Sequence, residues 1–221
     1  MGWWAKPSGA YLLESEESYA NADEIYTLLG GTWTLTAICG MLGNMWSESG
    51  MNPWRWQNDT VNYYNGYGLF QYTPASDYID ASWIPNWAPN EDTSAEEPGA
   101  SPNDALGQLY AFVNDTFGKW VGYCWRSYWD PNDYPDLYTK HTWILNEYGN
   151  GSYLSLSDFK TIPDYSDACF AFLACFEGPA VPNYLPRLSY CYDVKQIIDS
   201  YAGMDILFLK KFIIDRQFGN T

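Results

Sequence analysis

Glu48 is the first side chain in this sequence whose placement asks for chemistry. It stands seven residues after Met41 and three after Met45, so on a helix it continues the apolar face instead of the solvated one. A carboxyl turned inward beside Met45 and Trp46, close to the aromatic segment 54–56, would be partly desolvated. That favours its neutral form and suits it to act as a general acid near neutral pH. Periodicity alone equally allows a Glu at a helix end that turns to solvent. The run Gly66-Tyr67-Gly68-Leu69-Phe70-Gln71-Tyr72-Thr73-Pro74 follows. Its glycines let a backbone approach a ligand closely, and on a strand Gln71 lies opposite Phe70 and Tyr72, where its amide can meet a sugar substituent. A tight turn accounts for the glycines as well.

The elements that must position these groups are mostly helices. Ala22, Ile25, Leu28 and Leu29 predict a helix over 21–29, closed by Gly30-Gly31. A second helix starts at Thr34 as N-cap and carries Ala37, Ile38, Met41, Leu42 and Met45, with Gly50 and Pro53 ending it just after Glu48. Residues 66–73 read as part of a small hairpin. Residues 81–101, with Pro85, Pro89, Pro98 and the acidic Glu91, Asp92, Glu96 and Glu97, read as a long surface loop prone to disorder. Ser101-Pro102 opens a third helix whose stripe is Leu106, Leu109, Tyr110, Val113 and Phe117. Helical spacing returns over 166–177 and 186–201, the latter through Leu188, Cys191, Ile197 and Ile198.

Composition narrows the partners. With 27 acidic against 11 basic side chains, the net charge of −16 repels phosphate backbones and anionic membranes, so nucleic acid is excluded. Twelve Trp and 20 Tyr exceed what a core needs and suit stacking on sugar faces. Five Cys residues without a CxxC pair indicate no disulfide framework. Cys39, Cys169 and Cys175 read as core thiols, and the chain as made in a reducing cytoplasm. No signal peptide is evident, and no stretch reaches the ~20 apolar residues of a membrane span. His141 is the only histidine, which rules out the usual zinc hydrolase sites, and it reads as a surface residue. Neither metal nor cofactor is implied.

Trp33-Thr-x-x-Ala-Ile-Cys-Gly-Met-Leu-Gly-Asn-Met-x-Ser-Glu48-Ser, then Asn52-Pro53, then Gly66-Tyr-Gly-Leu-Phe-Gln-Tyr-Thr-Pro-Ala-Ser resembles the phage tail lysozyme family. A later piece, Phe172-Leu-Ala-Cys-Phe-Glu177-Gly-Pro-Ala, is similar to that family's tail motif, in which an Arg commonly stands at the position of Gly178. The resemblance is close over 21–80 and extends over roughly 15–202. It implies a lysozyme-like fold, mainly α (α+β), with a small β-hairpin beside the cleft. It also implies cleavage of peptidoglycan between N-acetylmuramic acid and N-acetylglucosamine. Glu48 would be the acid, and Gly68, Gln71, Tyr72 and Trp46 would meet the glycan. Glu177 would form the cleft floor or cap a neighbouring helix, the structural role being favoured.

Glycoside hydrolysis usually needs a second carboxylate. Asp59 is the first choice and Asp77 the second, although a turn and a helix cap explain them as well. Without one in reach, the muramic acid's own hydroxyl would attack, giving a lytic transglycosylase with an anhydro product. A carbohydrate-binding tail-tip domain without turnover is the remaining reading. The expected organisation is an aromatic arm over 1–14, a catalytic domain over 15–203 and an amphipathic tail over 204–221. The expected partners are bacterial peptidoglycan and other phage tail proteins, with the chain made in the bacterial cytoplasm and acting at the cell wall from a virion tail.

Overall fold

The computed structural model describes residues 3–6, 13–79, 104–123 and 125–203. Among them run α1 (Ser15–Leu29), α2 (Leu35–Ser49), α3 (Ala75–Ile79), α4 (Asp104–Val113), α5 (Pro135–Glu147), α6 (Leu156–Phe159), α7 (Tyr165–Phe172) and α8 (Tyr184–Gly203). The expected acidic loop over 81–101, the Ser101-Pro102 cap, Cys124 and the tail over 204–221 lie outside the described residues, as does most of the arm.

Local chemistry sets most boundaries. Thr34 Oγ1 accepts the Ala37 N–H at 3.2 Å, and Gly50 ends α2 in the left-handed conformation at φ 59°. α1 begins at Ser15, well before the apolar spacing, because Glu17 reaches back to the Glu14 N–H at 2.7 Å and closes a polar first turn. Asp164 caps α7 by accepting from Asp167 N–H at 2.9 Å.

α2 is buried on all sides, from Ala37 through Met45, so it is the central helix of the fold and not an amphipathic surface one. α7 and α8 pack against it. Two glycines allow this. A Cβ on Gly40 would lie 2.6–2.8 Å from Ala168 and Cys169, and one on Gly43 would lie 2.5–2.9 Å from backbone atoms of Arg187 and Cys191. Beside α7, the Phe112 ring meets those of Phe70 and Phe176 at 4.7 and 5.0 Å and ties the 66–72 segment to α4. The α4 stripe differs from expectation. Phe112 is buried and Tyr110 is 45% exposed, and the helix stops at Val113, short of Phe117.

The expected hairpin is not formed. Among the described residues the 66–72 segment makes only isolated bridges, Trp56 to Tyr67 and Tyr67 to Tyr72. Tyr67 and Tyr72 exchange backbone hydrogen bonds at 2.9–3.1 Å, and the residues between them form the turn itself, with φ 79° at Gly68 and 44° at Gln71. The turn takes up Gly68 to Gln71, half of the run expected to be strand, and the pairing across it is confined to Tyr67 and Tyr72.

Residues 3–6 are docked, with Asn21 bonded to both backbone polar groups of Trp4 at 2.7–2.8 Å and Asn52 accepting from and donating to the backbone of Lys6. Cys39, Cys169 and Cys191 are free thiols, whereas Cys175 is disulfide-bonded. This corrects its assignment as a core thiol: spacing alone carries no information on which sulfurs meet in space. No helix among the described residues is long and apolar enough to cross a membrane.

Candidate functional site

The C-terminal end of α2, the 55–59 turn, the 71–73 segment and residues 177–180 enclose a polar cleft of about 600 Å³. Among the described residues, three carboxyl side chains face it: Glu48, Asp59 and Glu177.

Glu48 reaches the cleft from the last turn of α2, with 25% of its side chain exposed. Its Oε1 forms an ion pair with Nη2 of Arg187, whose own side chain is almost wholly buried. Arg187 Nη1 lies 3.3 Å from Asn44 Oδ1, and Asn44 is fixed by donating to Gly40 O and Cys169 O at 2.8 and 3.0 Å. Asn44 stands one helical turn before Glu48, so the two grip one guanidinium. Glu48 is therefore held by a guanidinium and not wrapped in apolar side chains. That corrects the expected environment, because the partner comes from α8, far along the chain. Glu48 Oε2 has no hydrogen-bond partner among the described residues.

Asp59 sits in the 3-10 turn Gln57–Asp59 with φ 54°, and Arg55 Nε is 2.8 Å from its Oδ1. It serves a turn, as its sequence context suggests, and still faces the cleft. Gln71 lines the cleft too, but its amide nitrogen is turned inward, donating to Arg55 O and Gly68 O at 3.0 and 2.9 Å. Tyr72 is a core residue, and its hydroxyl donates to Gln108 O at 3.0 Å. Trp46 lies outside the cleft lining. It stands between Tyr19 and Tyr190, at 5.0 and 6.0 Å, and borders a smaller cavity of about 180 Å³. Asp77 pairs with Lys119 at 3.2 Å on the surface, away from the cleft lining. His141 packs against Trp125 and Tyr138 at 5.5–5.6 Å.

Gly68 is needed for a reason internal to the protein, since a Cβ there would lie 2.1 Å from Gln108 Oε1. Gln108 is fully buried on α4 and pins the cleft wall from behind. Its Oε1 accepts from Leu69 N–H at 2.6 Å, and its Nε2 donates to Pro53 O at 2.7 Å. Gln108→Leu leaves these two backbone groups unsatisfied, at about 1–3 kcal/mol each. A thermal melt is expected to fall accordingly, and an unchanged melting temperature would show that the pin is dispensable. Sequence reasoning missed Gln108 because a Gln within an apolar stripe looks like an irregularity.

Glu177 ends a π turn, Leu173–Glu177, in which Gly178 N–H donates to Leu173 O at 2.8 Å. Its Oε1 is out of solvent with no hydrogen-bond partner among the described residues. Burial, and then the charge of Glu48, push its carboxyl well above the usual carboxylate range, against the opposing pull of Arg187 and Arg126. The helix-capping role favoured from sequence is thus not what it does. Arg126 packs over Gly178, where a Cβ would lie 2.2 Å from its Nε, and its Nη2 donates to Phe176 O at 3.0 Å. A guanidinium is therefore present beside this segment although residue 178 is Gly.

A carboxyl raised in the folded state stabilises the fold below its unfolded value, and that contribution is lost as the pH rises towards the folded value. From about pH 5 to 8, the wild-type melting temperature should therefore drop by several degrees more than that of Glu177→Gln. Parallel curves would mean that Glu177 titrates normally.

Arg187 was also missed from sequence, although a signal existed. It precedes Cys191 by four residues and Val194 by seven, the spacing of the buried face of α8.

A family model described as phage tail lysozyme matches residues 20–197. A curated relative, Morphogenesis protein 1 of Bacillus phage B103, is 49% identical over 78 residues, which are 34% of this chain and 20% of the relative. The matched part is thus about a fifth of that relative's length.

Proposed function

This chain belongs to the phage tail lysozyme family, and from that premise we propose that its cleft binds the glycan strand of bacterial peptidoglycan and cleaves it as an N-acetylmuramidase. The fold is the family's lysozyme-like, mainly helical one, and the family acts on the bacterial wall. The bond cut is the β-1,4 link between N-acetylmuramic acid and N-acetylglucosamine, with Glu48 protonating the leaving oxygen.

One observation carries this reading: Glu48 stands at a polar cleft of about 600 Å³ with one oxygen held by Arg187 and the other free to meet a ligand. A held carboxyl in a cleft wide enough for sugars is what general-acid cleavage needs. Asp59, paired with Arg55, presents a second carboxyl to the positive charge that develops on the sugar ring. The backbone bonds of Gln71 hold the opposite wall in shape.

The pairing of Asp59 with Arg55 also supports a second reading, the lytic transglycosylase. There the muramic acid's own hydroxyl, and not a water activated by a carboxylate, adds to the anomeric carbon. Mass spectrometry of a muropeptide digest separates the two. Reducing-end muramic acid is expected, anhydro-muramic acid would replace the hydrolase with the transglycosylase, and the absence of any glycan product would reject both in favour of a binding domain. The chain is proposed to act from a virion tail in company with other tail proteins, a reading supported by the family and by the relative's name.

A further inference from the structure

We infer that the aromatic face of residues 125–141 is a second binding surface for the glycan strand, one that takes up the sugars running out of the cleft past Pro179 and Ala180. This rests on the glycan-cleaving reading above.

The stretch is dense in Trp and Tyr, and none of its residues belongs to the cleft lining. Its first part is nevertheless fastened to the cleft wall. Three side chains of one loop each donate to a backbone carbonyl of the 176–179 segment: Arg126 Nη2 to Phe176 O at 3.0 Å, the Tyr128 hydroxyl to Gly178 O, and Trp129 Nε1 to Pro179 O at 2.8 Å. Pro179 and Ala180 themselves line the cleft. The face therefore begins where the cleft wall ends, and those bonds fix its place beside it.

The rings stand in two tiers. Trp129 is buried, and the half-buried Trp125 meets it edge-on at 5.4 Å and donates from Nε1 to its carbonyl at 3.1 Å. Two exposed rings rest on that pair, Tyr128 against Trp129 at 6.3 Å and Tyr138 of α5 against Trp125 at 5.1 Å. Tyr128 is 58% exposed and Tyr138 43%. Rings that are open in front and held from behind lose little freedom when a ligand settles on them. Each is apolar on its face and polar at its tip, which matches a pyranose with its C–H face and its rim of hydroxyls. Charge selects among wall components. Asp130, Asp133 and Asp136 are exposed in the same stretch, which disfavours phosphate-bearing polymers. Uncharged N-acetylglucosamine rings, which carry no peptide, fit instead.

Chain length is the variable that tests this. The substrates are peptide-free glycan strands and oligomers short enough to fill only the cleft. In Tyr138→Ala the ratio of kcat/KM on strands to kcat/KM on oligomers should fall about fivefold or more, through KM, as expected for the loss of one stacked ring. Tyr128→Ala should do the same. Tyr128→Phe keeps the ring and gives up only the bond to Gly178 O, so it should keep the wild-type ratio. An unmoved ratio in the alanine variants overturns the inference. An equal fall on both substrates does so too, because the rings would then only support the cleft wall. Calorimetric titration of Glu48→Gln with uncut strands gives a readout without turnover, and adding Tyr138→Ala should weaken binding by a similar factor. Unchanged affinity overturns the inference and is the result expected if the face serves a tail protein. If the wild type cuts no glycan while strand affinity still depends on Tyr138, the cleavage reading fails and the surface stands. If glycan is cut with ratio and affinity unmoved, the surface alone fails.

Discussion

Glu48→Gln should lower glycan cleavage by about 10²–10⁴-fold, the usual contribution of a positioned general acid. The amide keeps the size of the side chain and can still accept from Arg187, but it has no acidic proton to give. Folding should survive. A quarter of the Glu48 side chain is exposed, and Arg187 keeps its contact with Asn44. Removing the charge of Glu48 also makes it easier for Glu177 to ionise and balance Arg187. Release of soluble muropeptides from purified cell walls, together with a circular dichroism melt, measures both parts. A variant that still clears walls at wild-type rate would show that the proton comes from elsewhere in the cleft. A variant that loses lysis only because it unfolds would leave Glu48 as a structural residue.

Gly43→Val acts on the same site from the other side of α2. A Cβ at residue 43 already falls within 2.5–2.9 Å of the α8 backbone at Arg187 and Cys191, and backbone cannot swing aside as a flexible side chain can. Overpacking of this kind costs about 1–3 kcal/mol, and three close backbone contacts place this case at the upper end. For a chain of this size each kcal/mol lowers the melting temperature by about 2–4 °C. The more telling part is catalytic. α8 carries Arg187, so pushing it off α2 draws the guanidinium away from Glu48 and Asn44. Cleavage should therefore fall more than the loss of folded protein explains, measured well below the melting temperature. Gly31→Ala is the control, since a Cβ there meets nothing within 4 Å. Equal behaviour of the two variants would show that close packing at Gly43 does not set the site.

Much of the helical frame was legible because its signals are local. Thr34 and Gly50 bound α2 through their own hydroxyl and backbone freedom. The alternation of Met41 and Met45 with Glu48 put a carboxyl at the inner end of that helix, and the structure does bring it to a cleft. The hairpin was misread because Gly68 and Gln71 turn the chain over four residues, and alternation cannot distinguish a strand from the flank of a turn. α2 looked amphipathic because Gly40, Gly43 and Asn44 count as weakly apolar or polar in a pattern. In space, the first two admit neighbouring backbones and the third admits a guanidinium.

By itself, then, the sequence determined the helices near Glu48 and the place of that carboxyl at the inner end of one of them, since caps, periodicity and side-chain type act within a few residues. Tertiary structure alone decided that Glu48 is paired with Arg187, that Glu177 lies in the same cleft where burial and the charge of Glu48 raise its carboxyl, and that Trp46, Tyr72 and Asp77 lie outside the cleft lining. A carboxyl's charge state depends on which cations and how much water surround it. Those neighbours come from helices more than a hundred residues apart in the chain.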